Sequence, residues 1–377
     1  MIPVNEPLLG GRELEYVTEC IETGWVSSSG RFIGEFEAGW AAYCGRAHGV
    51  AVSNGSTALQ VAVAALELEP GDEVILPTFT IVSCVTAVLA AGALPVLVDS
   101  DPELWTMDVT QLEPLLTSRT RAVMPVHIYG HPVDMDPVLE FGERHEIAVI
   151  EDAAEAHGAE YLAGREGSSP AWRRCGSFGE LSCFSFYANK LVTTGEGGMV
   201  VTDDDHLAER LRSLRNLCFE PGRRFYHESL GFNFRLTNLQ AALGVAQLER
   251  IDEIVRRKQE VAAAYSAGLA DIDGIQLPPE APWARSVFWM YGLVLDKSTG
   301  LDAAGFAERM RELGVETRPF FLGMHEQPAL HALGLFSDEH HPVAERLARQ
   351  GLYLPSGLAQ TDEQVEQVCV AVREVLG

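Results

Sequence analysis

Lysine is scarce in this chain. Its 377 residues hold three, Lys190, Lys258 and Lys297, beside 25 arginines. Chemistry that needs a side-chain amine therefore has three candidate positions. Other devices are missing. No Cys-x-x-Cys pair occurs, and the seven cysteines (20, 44, 84, 175, 183, 218, 369) are scattered and odd in number. That argues against a disulfide framework and for a reduced, cytoplasmic chain with free thiols. The Gly-x-Gly-x-x-Gly fingerprint of a nicotinamide dehydrogenase is absent, and so is a P-loop. No uncharged run of 18 or more residues is apolar throughout, so no membrane span is expected. The start carries Glu6, Glu13, Glu15, Glu19 and Glu22, which is unlike the basic, then apolar, opening of a signal peptide. Basic charge is short as well: 28 basic against 54 acidic side chains leave a net charge of −26. A nucleic-acid duplex would be repelled, whereas a small anion needs only a local positive site.

The rest of the composition is that of a soluble globular protein, 47% hydrophobic and 22% charged. The length suggests two to three domains and suffices for a core without disulfide or metal. Apolar runs of strand length fall at 49–53, 73–76, 95–98, 122–126, 148–151, 182–186 and 199–202, with helical patterns between them at 58–68, 82–91 and 135–145. This alternation predicts an α/β fold with a mostly parallel central sheet, whose ligands bind beyond the carboxyl ends of the strands. Thr237 reads as the N-cap of one long helix running to about residue 269. Beyond the Pro278-Pro279 pair, a strand at 290–295 and helices at 303–313, 342–350 and 362–376 predict a smaller α+β domain. The expected organisation is an arm and helix over 1–30, a large α/β domain over 31–245, and a small C-terminal domain over 246–377, entered by the long helix.

Four local patterns carry chemistry. Lys190 follows the apolar Phe184-Ser185-Phe186 run and precedes Gly195-Glu196-Gly197-Gly198. A lysine there can be desolvated, which lowers its pKa and exposes a nucleophilic amine of the kind a Schiff base requires. A lysine snorkelling at a strand end fits the same context. Lys258, in Arg256-Arg257-Lys258-Gln259-Glu260, and Lys297, after Asp296, both read as solvated. The run Ile147 to Glu151 ends in Asp152, with Glu155 and His157 beyond. An acid at that point can hold a protonated heteroaromatic nitrogen, cap a helix or bind a metal; the dispersed histidines offer the last option little support. Ser53-Asn54-Gly55-Ser56-Thr57 joins a strand to a helix and offers amides and hydroxyls to a phosphate, although Ser and Thr are common there as plain caps. Asn233-Phe234-Arg235 reads as a loop before the capped helix.

The order of these patterns is more specific than any one of them. From Gly24-Trp25-Val26-Ser27-Ser28-Ser29-Gly30, through Ser53-Asn54-Gly55-Ser56, Gly71-Asp72-Glu73-Val74, Glu151-Asp152-Ala153-Ala154 and Lys190 with its glycine turn, to Asn233-Phe234-Arg235, the chain resembles the DegT/DnrJ/EryC1/StrS family of sugar aminotransferases. The resemblance spans essentially the whole sequence. It implies the fold-type-I aminotransferase scaffold and pyridoxal 5′-phosphate as cofactor, converted to pyridoxamine 5′-phosphate in the half reaction. It also implies that Lys190 bonds the cofactor and shuttles protons, while Asp152 pairs with the ring nitrogen. Gly55, Ser56 and Ser185 are implied to cradle the phosphate, joined by Asn233 from a neighbouring subunit of a homodimer with shared sites. Glu155 stands where the family often has Gln, near the ring hydroxyl, and Ile81 where many relatives carry an aromatic residue over the ring, with Phe79 able to compensate. Deoxysugar dehydratases related to the family have His at the position of Lys190, so transamination is the expected reaction.

A finer resemblance concerns the substrate. Gly24 to Gly30, and Glu316-Thr317-Arg318-Pro319-Phe320-Phe321-Leu322-Gly323-Met324-His325, look like the branch that makes perosamine by aminating carbon 4 of GDP-4-keto-6-deoxymannose, with glutamate as donor. This makes Trp25, Ser27, Ser28, Ser29, His157, Arg318 and His325 candidate substrate contacts. Four of them have a plainer alternative: core packing for Trp25, a surface ion pair for Arg318, and satisfied structural hydrogen bonds for the two histidines. A 3- or 4-aminotransferase acting on a dTDP- or UDP-linked keto-sugar fits the same catalytic core. A non-catalytic regulator that binds the cofactor is the alternative from another class; the acidic charge and the lack of an appended DNA-binding segment weigh against it. No metal, nucleic acid or membrane partner is expected.

Overall fold

The computed structural model describes the chain except residues 166, 168, 221, 224 and 228. Seven strands form the central sheet, in the spatial order His48–Val52, Gly198–Thr202, Leu181–Ser185, Ala148–Asp152, Thr120–Val123, Glu73–Pro77, Leu94–Val98. Each coincides with one of the seven apolar runs, their ends differing by no more than three residues. Near-continuous apolar runs such as Val74-Ile75-Leu76 form such strands because both faces of the sheet are covered. Gly198–Thr202 runs antiparallel to both of its neighbours, while the other pairings in the sheet are parallel.

Six strands therefore share one direction and end at the same edge of the sheet. That edge collects Asn54, Thr78, Asp152 and Ser185 from strand ends, together with Gly198 at the start of the reversed strand. Glycine is required at two of these points. A Cβ on Gly55 would lie 2.6 Å from Ser185 Cβ, and one on Gly198 would lie 2.3 Å from the Asn54 carbonyl oxygen. The helices Gly55–Ala65 and Val82–Ala90 pack an apolar cluster on one face of the sheet. Phe36, Trp40, Phe184 and Phe186 anchor a second cluster on the other.

One expected element divides in two. Thr237 does cap a helix, through a reciprocal capping box with Gln240, but that helix ends at Leu248 and a second spans Ile251–Leu269. Arg250 sits between them in a non-helical conformation, its guanidinium bonded to Glu253 in the first turn of the second helix. Acidic Asp252 and Glu253 suit a new helix N-terminus, which offsets the interruption. The expected helices at 342–350 and 362–376 are present as Pro342–Gln350 and Asp362–Leu376. Four antiparallel strands, Ile275–Gln276, Tyr291–Leu295, Gly351–Leu354 and Arg318–Pro319, form a separate small sheet. A cluster around Tyr265, Tyr291, Phe306 and Val368 fills the space between this sheet and its helices. The N-terminal arm reaches it too, with Ser356 N–H donating to the Val4 carbonyl at 3.0 Å. Among the described residues, no helix is long and apolar enough to cross a membrane.

Candidate active site

Lys190 lies in the turn that follows strand Leu181–Ser185, its own N–H bonded to the Tyr187 carbonyl at 2.9 Å. Its side chain is only 10% exposed. The amine stands 3.7 Å from Glu155 Oε1 and 3.6 Å from the centre of the Trp289 ring. Burial lowers its pKa, while the charges of Glu155 and Asp152 act in the opposite sense. Of the sequence's two readings of Lys190, the desolvated amine matches this geometry.

Asp152 ends its strand, is buried, and is held on both oxygens. Ala154 N–H donates to Oδ1 at 3.0 Å and the Cys84 thiol to Oδ2 at 3.3 Å. Burial pushes its carboxyl up, and these two donors pull it back towards the ionised form. Its neighbour Glu151 shows why one acid of the pair is free for chemistry. Successive strand residues point to opposite faces. Glu151 accepts from Gly176 N–H, Phe178 N–H and Ser182 Oγ and pairs with His127 Nε2 at 2.8 Å. Cys175 is also near, but with this set of partners Glu151 is a structural knot. Glu155 turns one oxygen to Lys190, and its other accepts the Tyr129 N–H at 2.7 Å. Burial pushes Glu155 up, against the pull of the lysine charge.

At the start of helix Gly55–Ala65, Asn54 Oδ1 accepts from Thr57 N–H at 2.9 Å and Thr57 Oγ1 from Asn54 N–H at 3.1 Å. This capping box leaves the Gly55 and Ser56 amides over, at the positive end of the helix dipole. Ser56 Oγ lies 2.7 Å from Ser83 Oγ, and Ser185 adjoins Gly55. Ile81 is the N-cap residue of helix Val82–Ala90 and is 42% exposed, whereas Phe79 is buried. Asn233 is exposed and bridged to Asn216, and the carbonyl of the next residue, Phe234, accepts Ser53 N–H at 2.8 Å.

The remaining sequence candidates are more dispersed. His157 Nδ1 accepts from Val192 N–H at 3.3 Å, which places the proton on Nε2. That atom is buried and meets no acceptor in good hydrogen-bond geometry among the described residues, and the ring packs against Trp40, Phe184 and Phe186. Burial lowers its pKa to about 3, so it stays neutral. His325 is buried, its Nδ1 2.7 Å from Thr78 Oγ1 and its Nε2 3.4 Å from Glu345. Arg318 pairs with Glu316 at 2.9 Å on the surface. Trp25 is exposed, and its carbonyl, like that of Ser27, bonds Asn238. Ser28 and Ser29 line a cavity of about 790 Å³ together with Arg212, Arg215, Asn216 and Arg235.

Sequence reasoning missed Cys84, Tyr129 and Trp289, each brought to the site from a different segment with no local mark. It also misread Lys258. This lysine is not solvated: it is 4% exposed and donates to the carbonyls of Trp289, at 2.9 Å, and of Ser356. The basic run around it hides which face of the helix turns inward. Lys297 is exposed, as expected.

Residues 7–373 match the model of the DegT/DnrJ/EryC1/StrS aminotransferase family. A GDP-perosamine synthase from Caulobacter vibrioides is 43% identical over 376 residues, covering 100% of this chain and 98% of the relative. A dTDP-3-amino-3,4,6-trideoxy-alpha-D-glucose transaminase from Streptomyces venezuelae is 39% identical over 356 residues, covering 93% of this chain and 89% of its own length. Among solved structures, S. venezuelae DesV in complex with a ketimine intermediate superposes with a TM-score of 0.88 at 37% identity, covering 96% of this chain and 94% of DesV.

Proposed function

Because the chain belongs to the DegT/DnrJ/EryC1/StrS aminotransferase family, we propose that it holds pyridoxal 5′-phosphate on Lys190 and transfers an amino group from glutamate to a nucleotide-linked 4-keto-6-deoxy sugar. The substrate that the relatives favour is GDP-4-keto-6-deoxymannose, with GDP-perosamine as product. The observation that carries this reading is a buried amine, Lys190, between Glu155 and Trp289 at the sheet edge that also bears Asp152 and the Gly55-Ser56 amides. The residues fit the cofactor: two unused amides and a hydroxyl for a phosphate, a buried acid for a ring nitrogen, and an amine for an aldehyde.

When bound, the cofactor supplies an aldehyde that exchanges amines and a ring that withdraws electrons. The protein's part is to orient and to move protons. Asp152, fixed by Ala154 and Cys84, keeps a proton on the ring nitrogen. Gly55, Ser56 and Ser185 hold the phosphate, with Asn233 reaching the same group from the other subunit of a homodimer. Ile81 supplies apolar contact over the ring. With the cofactor bound, Lys190 would serve as general base and then as general acid, a role its lowered pKa suits. Glu155, directed by the Tyr129 amide, faces the lysine and would meet the ring hydroxyl of a bound cofactor. Ser28 and Ser29, beside Arg212 and Arg235, offer a cationic, hydroxyl-rich wall for a sugar diphosphate, with Trp25, Ser27, His157, Arg318 and His325 as further candidate contacts.

Borohydride treatment of the protein with pyridoxal 5′-phosphate, followed by peptide mass analysis, is expected to tag Lys190. A tag on Lys258, on Lys297 or on no lysine overturns the cofactor reading. The second reading is amination of a dTDP-linked keto-sugar, favoured by the 39% identity to the dTDP-sugar transaminase. Turnover of a panel of keto-sugar nucleotides, with the aminated carbon assigned in each product, separates the two.

A further inference from the structure

We propose that Trp289 forms a second wall for the Lys190 amine, holding it in its charged form, and that Lys258 is the positioning residue that keeps Trp289 in place. The inference rests on Lys190 being the reactive amine.

The contact is direct. Lys190 Nζ lies 3.6 Å from the Trp289 ring centre, and Trp289 is itself buried. The same indole donates from Nε1 to the carbonyl of Asn189 at 2.8 Å, so the ring is tied to the backbone next to the lysine it faces. The Trp289 backbone is tied in turn. Its carbonyl accepts from Lys258 Nζ at 2.9 Å, and the same amine donates to the Ser356 carbonyl. Ser356 Oγ accepts from Tyr291 N–H at 3.2 Å, and Ser356 N–H donates to the Val4 carbonyl at 3.0 Å. One buried amine on helix Ile251–Leu269 thus draws together two segments far apart in sequence, at the backbone of the residue that carries the ring. Burial lowers its pKa to about 7. Two hydrogens on a neutral amine are enough for two carbonyls, so the clamp needs no third proton.

The partners of the two amines explain why an aromatic face suits Lys190. Asp152, Glu155 and the neutral His157 are the titratable groups that face it. The carboxylates favour the charged amine through their charge. The ring face attracts the cation but offers no acceptor that would engage the amine once it is neutral. An amine that alternates between holding a proton and attacking a carbonyl is aimed by such a wall in its charged state and released in its neutral one.

The test uses the small number of lysines. The full chain, without added cofactor, is labelled with a trace of acetic anhydride across a pH series, and each lysine is read by peptide mass spectrometry with exposed Lys297 as internal reference. Removing the ring removes a contact that favours the charged form, so the labelling midpoint of Lys190 falls. In Trp289→Leu the expected fall is about one pH unit. Trp289→Phe, which keeps a weaker face, is expected to fall by less. Lys258→Met, or Lys258→Gln if the Met variant does not accumulate, is expected to shift Lys190 in the same direction by a smaller amount. Lys258→Met combined with Trp289→Leu is expected to shift it no further than Trp289→Leu alone. An unchanged or raised Lys190 midpoint in Trp289→Leu, or in Trp289→Met if the Leu variant does not accumulate, overturns the wall. An unchanged midpoint in the Lys258 variants, or additive shifts, overturns the positioning role. Failure of the cofactor reading is distinct, since it shows as a missing borohydride tag on Lys190 in the unaltered chain.

Discussion

Two lysine side chains in this protein are withdrawn from water, Lys258 more completely than Lys190, and their surroundings have little in common. Lys190 lies at the carboxyl edge of the large sheet, facing two carboxyl groups and an indole face. Lys258 lies on a helix packed against the small sheet, and its hydrogen-bond partners among the described residues are backbone carbonyls, one of them that of Trp289 itself. Both amines lose hydration and both have a lowered pKa. Only the first is surrounded by side chains that respond to its protonation. Burial alone therefore does not distinguish a reactive lysine from a structural one. The difference lies in whether the partners can change state with the amine.

Substitutions at the two positions should separate chemistry from stability. The largest expected effect is at Lys190: replacement by Ala is expected to lower amine transfer by at least about 10³-fold while the thermal unfolding transition stays cooperative, measured by turnover with glutamate and by circular dichroism. Asp152→Asn tests the polar half of the same site. It cannot hold the ring nitrogen's proton by charge, and a loss on the order of 10²-fold in turnover is expected, with the fold retained.

At Lys258 the larger effect is on stability. Lys258→Met leaves two buried carbonyls without their donor and is expected to cost about 1–3 kcal/mol in urea unfolding. The sign of its pH dependence follows from the lowered pKa of about 7. The folded state sheds this proton near pH 7, while the unfolded chain keeps it to much higher pH. Wild-type stability from this group therefore rises as pH climbs above about 7 and is lost as pH falls through it. The gap between wild type and Lys258→Met should be wider in mildly alkaline than in mildly acidic buffer.

The smallest effect is expected at Glu155, whose pKa burial raises. A raised acid contributes stability that is present at low pH and lost as pH rises through its folded value. Glu155→Gln should gain in Tm relative to wild type as pH rises, while turnover changes only a few-fold, since the amide keeps an acceptor for Tyr129. A flat difference across pH would show that the Lys190 charge offsets burial and leaves Glu155 an ordinary carboxylate in the folded chain.

The contrast between the lysines also marks what could be read in advance. The seven sheet strands were legible because buried strands are apolar runs, and Asp152 and Lys190 because each follows such a run. Thr237 was legible as a cap, since capping chemistry is local, whereas the cap at Asn54 was passed over in favour of the neighbouring Ser and Thr. The break between Leu248 and Ile251 was not, as neither Gly nor Pro marks it. Lys258 was misread because Arg256-Arg257-Lys258-Gln259-Glu260 is polar throughout, and a polar run does not show which of its members the fold turns inward. Trp289 lies 99 residues from Lys190 in the chain, in an apolar stretch that core packing alone would explain.

The sequence by itself determined the strand and helix segments, the shared direction of most strands, the cap that leaves two amides free and the acid and lysine at strand ends. These depend on side-chain periodicity and on contacts within a few residues. The tertiary structure decided which amine meets carboxyl groups, which meets carbonyls, and which aromatic residue both of them touch. Those outcomes depend on segments tens to hundreds of residues apart packing at one edge, where loss of water sets the cost of every unpaired group.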